Sequence, residues 1–156
     1  MNASPVLVNP NTQHWLTFQL DGQAYAAPLA QVSEVIRVGE LTPVPGAAAD
    51  LLGIRHLRGR VVPVLDGRRR LGLPPRDGDA DSVRVVMLSH ASHAVGLRVD
   101  AVGELLLPGA DAMAPPPPGR AVREDDPVIG VLPWKGGFAA LLDVRRLCRL
   151  PENEAA

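Results

Sequence analysis

From Trp15 onward the chain alternates: Leu16, Phe18 and Leu20 are spaced by Thr17 and Gln19, the period-two mark of a half-buried strand. Asp21-Gly22 then supplies a tight turn into a second strand over Ala24 to Ala27. Between Pro28 and Val38 the pattern changes. Leu29, Val32, Val35 and Ile36 fall on one face of a short helix, with Pro28 suited to its first turn, before β-branched Val35, Ile36 and Val38 draw the chain into an extended stretch. Three short apolar stretches follow, Leu41 to Pro45, Leu51 to Leu57 and Arg60 to Leu65, punctuated by proline and glycine and predicted as strand, turn and strand. Asp66 to Leu71 reads as one helical turn, and Pro74 to Asp81 as a loop.

The second part repeats the style. Val83 to Ser89 and Ala94 to Val99 are strands joined by a tight turn, and Val102 to Leu107 continues the pattern. The run from Val83 to Leu88 is apolar on both faces and belongs deep in the structure. Pro108 to Gly119, with four prolines in succession from Pro115, is a loop or stiff spacer. Val128 to Leu132 and Phe138 to Leu142 form the last strand pair around Lys135-Gly136-Gly137. From Asp143, a candidate N-cap, Val144, Leu147 and Leu150 share one face of a closing helix that Pro151 ends. Many short strands with Gly/Pro turns point to barrels or a sandwich.

Hydrophobic residues make up 46% of the 156 but aromatics only 3%, so the core is aliphatic. A net charge of −1 gives no positive field for nucleic acid, which is not expected as a partner. Cys148 is the single cysteine, which excludes an internal disulfide and a multi-cysteine metal site. The first residues lack a charged and apolar leader pattern, and no long uncharged apolar run is present, so neither secretion nor membrane insertion is expected.

Candidate chemistry is sparse. His90 and His93 sit in a turn without a suitably placed third ligand, and the Asp77 to Ser82 loop lacks the glycine and the glutamate of a calcium loop. The short motifs of hydrolases, metalloproteases and nucleotide enzymes are missing. Cys148 lies beside Arg146 and Arg149 but on a closing helix, where a structural thiol is the simpler reading. Asp66 and Asp143 read as helix caps. The cluster Arg55, Arg58, Arg60, Arg68, Arg69 and Arg70 is either a solvated face or a docking surface, with Arg58 presented by a hairpin turn.

The block from Gly53 to Asp66, GIRHLRGRVVPVLD, resembles the G-x-x-N-L-R-G-x-x-x-P-x-x-D core of the CheW family of chemotaxis coupling proteins. FQLDGQAY from Phe18, VSEVIR from Val32, Val44-Pro45 and VGLRVDAV from Val95 support the resemblance, which runs from about Trp15 to Leu150. It departs at His56, where the family has Asn, at Gly67, where Leu is usual, and in the proline-rich loop.

The resemblance implies an all-β fold of two SH3-like five-stranded β-barrel subdomains around a shared core, with short helices including a C-terminal one. The polar stretch interrupted by Pro5 and Pro10 reads as a flexible leader over 1–13, ahead of a single domain of this family over 14–150 and a tail over 151–156. The resemblance also implies a non-enzymatic adaptor, without cofactor or metal, that couples methyl-accepting chemoreceptors to the regulatory domain of a CheA-type histidine kinase. Such an adaptor is cytoplasmic and recruited to membrane-associated receptor arrays. The alternative is an adaptor of a type IV pilus or polar-localisation pathway that does not contact a kinase. By motif position Val32, Glu34, Ile36 and Arg58 fall at the receptor-binding surface. Val85, Val99 and Val102 fall in the second barrel, as core or kinase contacts.

Overall fold

The computed structural model of the chain describes residues 13–75, 80–108, 113–115 and 126–149. The expected leader up to residue 12, parts of both loops, Leu150, Pro151 and the tail lie outside them. Ten strands and two short helices are ordered β1 (Trp15–Leu20), β2 (Gln23–Pro28), β3 (Val32–Ile36), β4 (Leu51–Leu57), β5 (Arg60–Asp66), α1 (Gly67–Arg70), β6 (Arg84–His90), β7 (His93–Val99), β8 (Ala101–Leu106), β9 (Val128–Trp134), β10 (Gly137–Leu142) and α2 (Val144–Cys148). They form two five-stranded sheets, β8-β1-β2-β10-β9 and β3-β6-β7-β5-β4, the first and second barrels.

The alternation in the sequence becomes burial. Trp15, Ala26, Leu106, Leu132, Ala139 and Leu141 fill the first barrel, and Val62, Val64, Val85 and Met87 fill the second. A third and larger cluster, including Leu16, Phe18, Leu20, Leu65, Val86, Leu88, Leu97, Leu142 and Leu147, lies between the barrels. Strands that serve a barrel interior on one face and the shared core on the other have no face left for polar residues. This is why β6 reads as a continuous apolar run.

Neither barrel is built from a continuous stretch of chain. Hairpin β1–β2 pairs with β8 and, in parallel, with β10, whereas hairpin β6–β7 pairs with β3 and, in parallel, with β5. The chain is an internal repeat in which β1 to α1 corresponds to β6 to α2 and each half lends its first hairpin to the other's barrel. Registers match pair for pair: Ile36 with Val85 answers Leu106 with Trp15, and Val64 with Gly96 answers Leu141 with Ala26. The sequence carries a faint echo in Leu65-Asp66-x-Arg68-Arg69 and Leu142-Asp143-x-Arg145-Arg146. Both aspartates cap their helices, Asp66 accepting from Arg68 N at 3.1 Å and Asp143 from Arg145 N at 2.9 Å. Close backbone approaches repeat too: a Cβ on Gly53 would meet the Thr42 carbonyl oxygen at 2.7 Å, and one on Gly130 the Ala114 carbonyl oxygen at 2.9 Å.

Several expectations are corrected. The helix expected from Pro28 is a single 3-10 turn at Leu29–Gln31, and Val32–Ile36 is strand throughout, because β-branched residues there find a ladder on β6. Leu41 to Pro45 is not a strand but one bridge, Thr42 to Ile54. The last hairpin turns at Lys135-Gly136, and Gly137 already belongs to β10. Val102 lies in the first barrel's sheet, not the second's, because β8 crosses over to pair with β1.

Because each barrel needs strands from both halves, heat should unfold the chain in one transition, with calorimetric and van't Hoff enthalpies in agreement. Two resolved transitions in scanning calorimetry would contradict the exchanged architecture.

Candidate protein-docking interface

The two-residue turn between β4 and β5 places Arg58 at φ 52° and Gly59 at φ 77°, the backbone of a type I′ hairpin turn. The left-handed conformation is unfavourable for a side chain that lacks a short polar group. Arginine there serves its side chain rather than the turn. The guanidinium reaches across the open side of the sheet and donates to the Glu34 carboxylate on β3, the opposite edge strand. Glu34 also holds the Arg58 pKa above its ordinary value, first through that hydrogen bond and then through its charge. Arg55 reinforces the closure by donating to the carbonyl oxygens of Arg37 at 2.7 Å and Val38 at 2.5 Å. The second barrel is thus latched shut at one end by side chains rather than by a continuous ladder.

The first barrel has the corresponding latch. Lys135 at φ 45° and Gly136 at φ 79° form the β9–β10 turn, and Lys135 pairs with Glu104 on edge strand β8. The ladder register slips beside the glutamate in both edge strands, between Val32 and Glu34 and along β8 between Val102 and Leu105. Such bulges re-aim a side chain at a strand edge. Each latch is flanked by two exposed apolar side chains at repeat-related positions: Val35 (38%) and Val61 (56%) in the second barrel, Leu105 (49%) and Phe138 (59%) in the first. Lys135 also lies over the Trp134 ring, 5.3 Å from its centroid. An exposed apolar pair around a fixed charge is the makeup of a docking patch: the apolar area gives affinity and the charge gives register.

The structure therefore brings Glu34 and Arg58 together. Val32 and Ile36 share the inward row of β3, half-buried, Val32 against the shared core and Ile36 against the second barrel's interior. The outward row consists of Ser33 and Val35. Val85 is buried in the second barrel's interior and Val99 in the shared core, which leaves neither side chain surface for a partner. Val102 packs partly against the shared core. Glu104, Leu105, Lys135 and Phe138 were not legible as a site, although Lys135-Gly136 echoing Arg58-Gly59 ahead of the repeated Leu-Asp motif is a signal that identifies them.

The arginine cluster divides. Arg68 grips Asp100 through Nε at 3.1 Å and Nη2 at 2.7 Å, and the same carboxylate accepts from Asp21 N at 2.8 Å, which ties α1 to the β1–β2 turn. Arg70 donates to the carbonyl oxygens of Arg146 at 2.6 Å and Arg149 at 3.2 Å, capping the C-terminal end of α2. Neither is a solvated face or a docking residue; both are structural. Arg58, Arg60 and Arg69 remain exposed, Arg69 with its Nε 3.6 Å from the Asp66 carboxylate. Among the described residues, no group of three His, Cys, Asp or Glu side chains could hold a metal ion, and no helix is long and apolar enough to cross a membrane.

Burial pushes the Cys148 thiol up to about 11, an effect that the nearby Arg70 only partly offsets. The flanking arginines do not activate it. At pH 8 only about a thousandth of it would be thiolate. A disulfide reagent should therefore modify the native chain at least ~10-fold more slowly than the chain in denaturant at the same pH. Equal rates would contradict the burial.

A model of the CheW-like domain matches residues 14–152. The chain is 30% identical to a chemotaxis protein CheW of Rhizobium meliloti over 99% of both chains. It is 31% identical to protein FrzA of Myxococcus xanthus over 92% of this chain and 89% of that one. Among solved structures, that of the scaffolding protein TtCheW from Thermoanaerobacter tengcongensis superposes with a TM-score of 0.76 at 26% identity, covering 85% of this chain and 89% of that one.

Proposed function

The chain belongs to the CheW-like domain family, and we propose that it is a chemotaxis-type coupling adaptor whose two latched barrel ends hold different signalling proteins at a fixed separation. Its relatives include proteins named for chemotaxis and one named a scaffold. The partners in this reading are the cytoplasmic tips of methyl-accepting chemoreceptors and the regulatory domain of a CheA-type histidine kinase. Coupling needs no reaction. An adaptor that grips both partners raises the concentration of one near the other and fixes their geometry, so a change in receptor conformation is transmitted as displacement.

The observation that carries this reading is the Glu34–Arg58 latch. It joins two of the sequence blocks that carry the family resemblance, Arg58 in GIRHLRGRVVPVLD and Glu34 in VSEVIR, and it occupies an exposed barrel end beside Val35 and Val61. The chain is about as similar to FrzA, a relative not named for chemotaxis, as to the Rhizobium protein. An adaptor of a pilus or polar-localisation pathway that bypasses a kinase is therefore the second reading.

Calorimetric titration against the kinase regulatory domain from the same genome separates the two. Saturable binding near one-to-one is the expected result, and no binding to any such kinase would favour the second reading. Arg58→Glu should weaken receptor association while leaving the circular dichroism spectrum and melting curve close to those of the parent, since Arg58 is exposed. The double variant Glu34→Arg with Arg58→Glu restores an attractive pair without restoring the original surface. If it recovered full binding, the latch would matter only for barrel closure.

A further inference from the structure

The internal repeat allows the two barrel ends to be compared position by position, and they have diverged in charge. Where the second barrel has exposed Arg37 just beyond β3, the first has Leu107 just beyond β8, itself 57% exposed. Where the second has exposed Arg60 opening β5, the first has Gly137 opening β10. The latch charges cancel at both ends, Arg58 against Glu34 and Lys135 against Glu104. At the first barrel this leaves Leu105, Leu107 and Phe138 around a neutral pair. At the second it leaves Val35 and Val61 flanked by Arg37 and Arg60, neither of which has an ion-pair partner among the described residues.

The surplus is local. Counting Arg55, this end holds four arginines against Glu34 and Glu40, in a chain whose net charge is −1. Arg55 is committed to backbone carbonyls, so Arg37 and Arg60 are the charges offered outward. Arginine presents a planar fork that pairs with carboxylates in two parallel hydrogen bonds. Its guanidinium is only weakly hydrated, so it gives up water to an interface at lower cost than an ammonium group.

We propose that the second barrel's end is the charge-selective one, and that the chemoreceptor surface it takes is acidic, with carboxylates ringing an apolar contact so that they meet Arg37 and Arg60 while Val35 and Val61 are covered. This inference rests on the reading that the Glu34–Arg58 end faces the receptor, and adds the chemistry of the partner and two selectivity residues. The first barrel's end, apolar and neutral, binds its partner with little dependence on salt.

The test is binding of the full chain to the purified cytoplasmic fragment of a chemoreceptor from the same genome, measured by biolayer interferometry from about 50 to about 500 mM NaCl, a range over which the screening length falls below the size of a contact patch. Affinity should drop ~10-fold or more across that range, chiefly through slower association at high salt. Arg37→Glu with Arg60→Glu should weaken low-salt binding by ~10-fold or more and abolish or reverse the salt dependence, with the melting curve unchanged. Leu107→Glu, at the equivalent place on the first barrel, should leave receptor binding as it was. Strong binding by the parent chain that ignores salt would overturn this inference alone, and that result needs no variant. Failure of the parent chain to bind any receptor fragment would overturn the receptor reading and this inference with it.

Discussion

Every strand hairpin in this chain has edges that only the other half can satisfy. A buried backbone N–H or C=O without a partner costs free energy comparable to a lost hydrogen bond, and the ladders β1–β8, β2–β10, β3–β6 and β5–β7 all run between the halves. The exchange also places each half's apolar residues on both sides of the shared core, so Leu16, Leu65, Val86 and Leu142 pack in one cluster although they are far apart in sequence. The barrels are consequently not beads on a string. A load applied to one end passes through the shared core and through connections such as β2 to β3 and β7 to β8, which carry the chain from one barrel to the other.

What the exchange does not supply is closure of the barrel ends. Edge strands β3 and β8 face β4 and β9 across gaps that single bridges, Thr42 to Ile54 and Ala114 to Val131, only partly span. The remaining distance is crossed by a cation on a tight turn and a glutamate at a bulge, twice over. An open sheet edge is a template for unwanted pairing, and charges placed on it oppose that outcome. In the proposed reading, closure and recognition use the same four side chains, Glu34, Arg58, Glu104 and Lys135. Inner bracing is the work of other arginines: Arg68 ties α1 to the first barrel's hairpin, and Arg70 holds α2.

Much of this was legible in the sequence because the signals were local. Alternation in Trp15 to Leu20, the Asp21-Gly22 turn and the caps at Asp66 and Asp143 each depend on a few adjacent residues, and the structure contains each of them. The Glu34–Arg58 site was legible only through family resemblance, since nothing local says that a turn at residue 58 meets a strand at residue 34. Misreadings came where a distant partner decides. Leu29 to Ile36 carries helical spacing, yet β6 is waiting as a ladder for it. Arg68 and Arg70 look like a charge run until Asp100 and the end of α2 are brought beside them. The second latch is not legible in the sequence because its echo of the first is spread over a weak repeat, and the exchange of hairpins hides which strand it closes against.

In the proposed function, one copy of the protein grips two partners at the same time. Sedimentation velocity of the full chain mixed with a chemoreceptor cytoplasmic fragment and the kinase regulatory domain tests it directly. A species containing all three, heavier than either binary complex, is expected; mutually exclusive binary complexes, in which kinase displaces receptor, would rule out simultaneous binding.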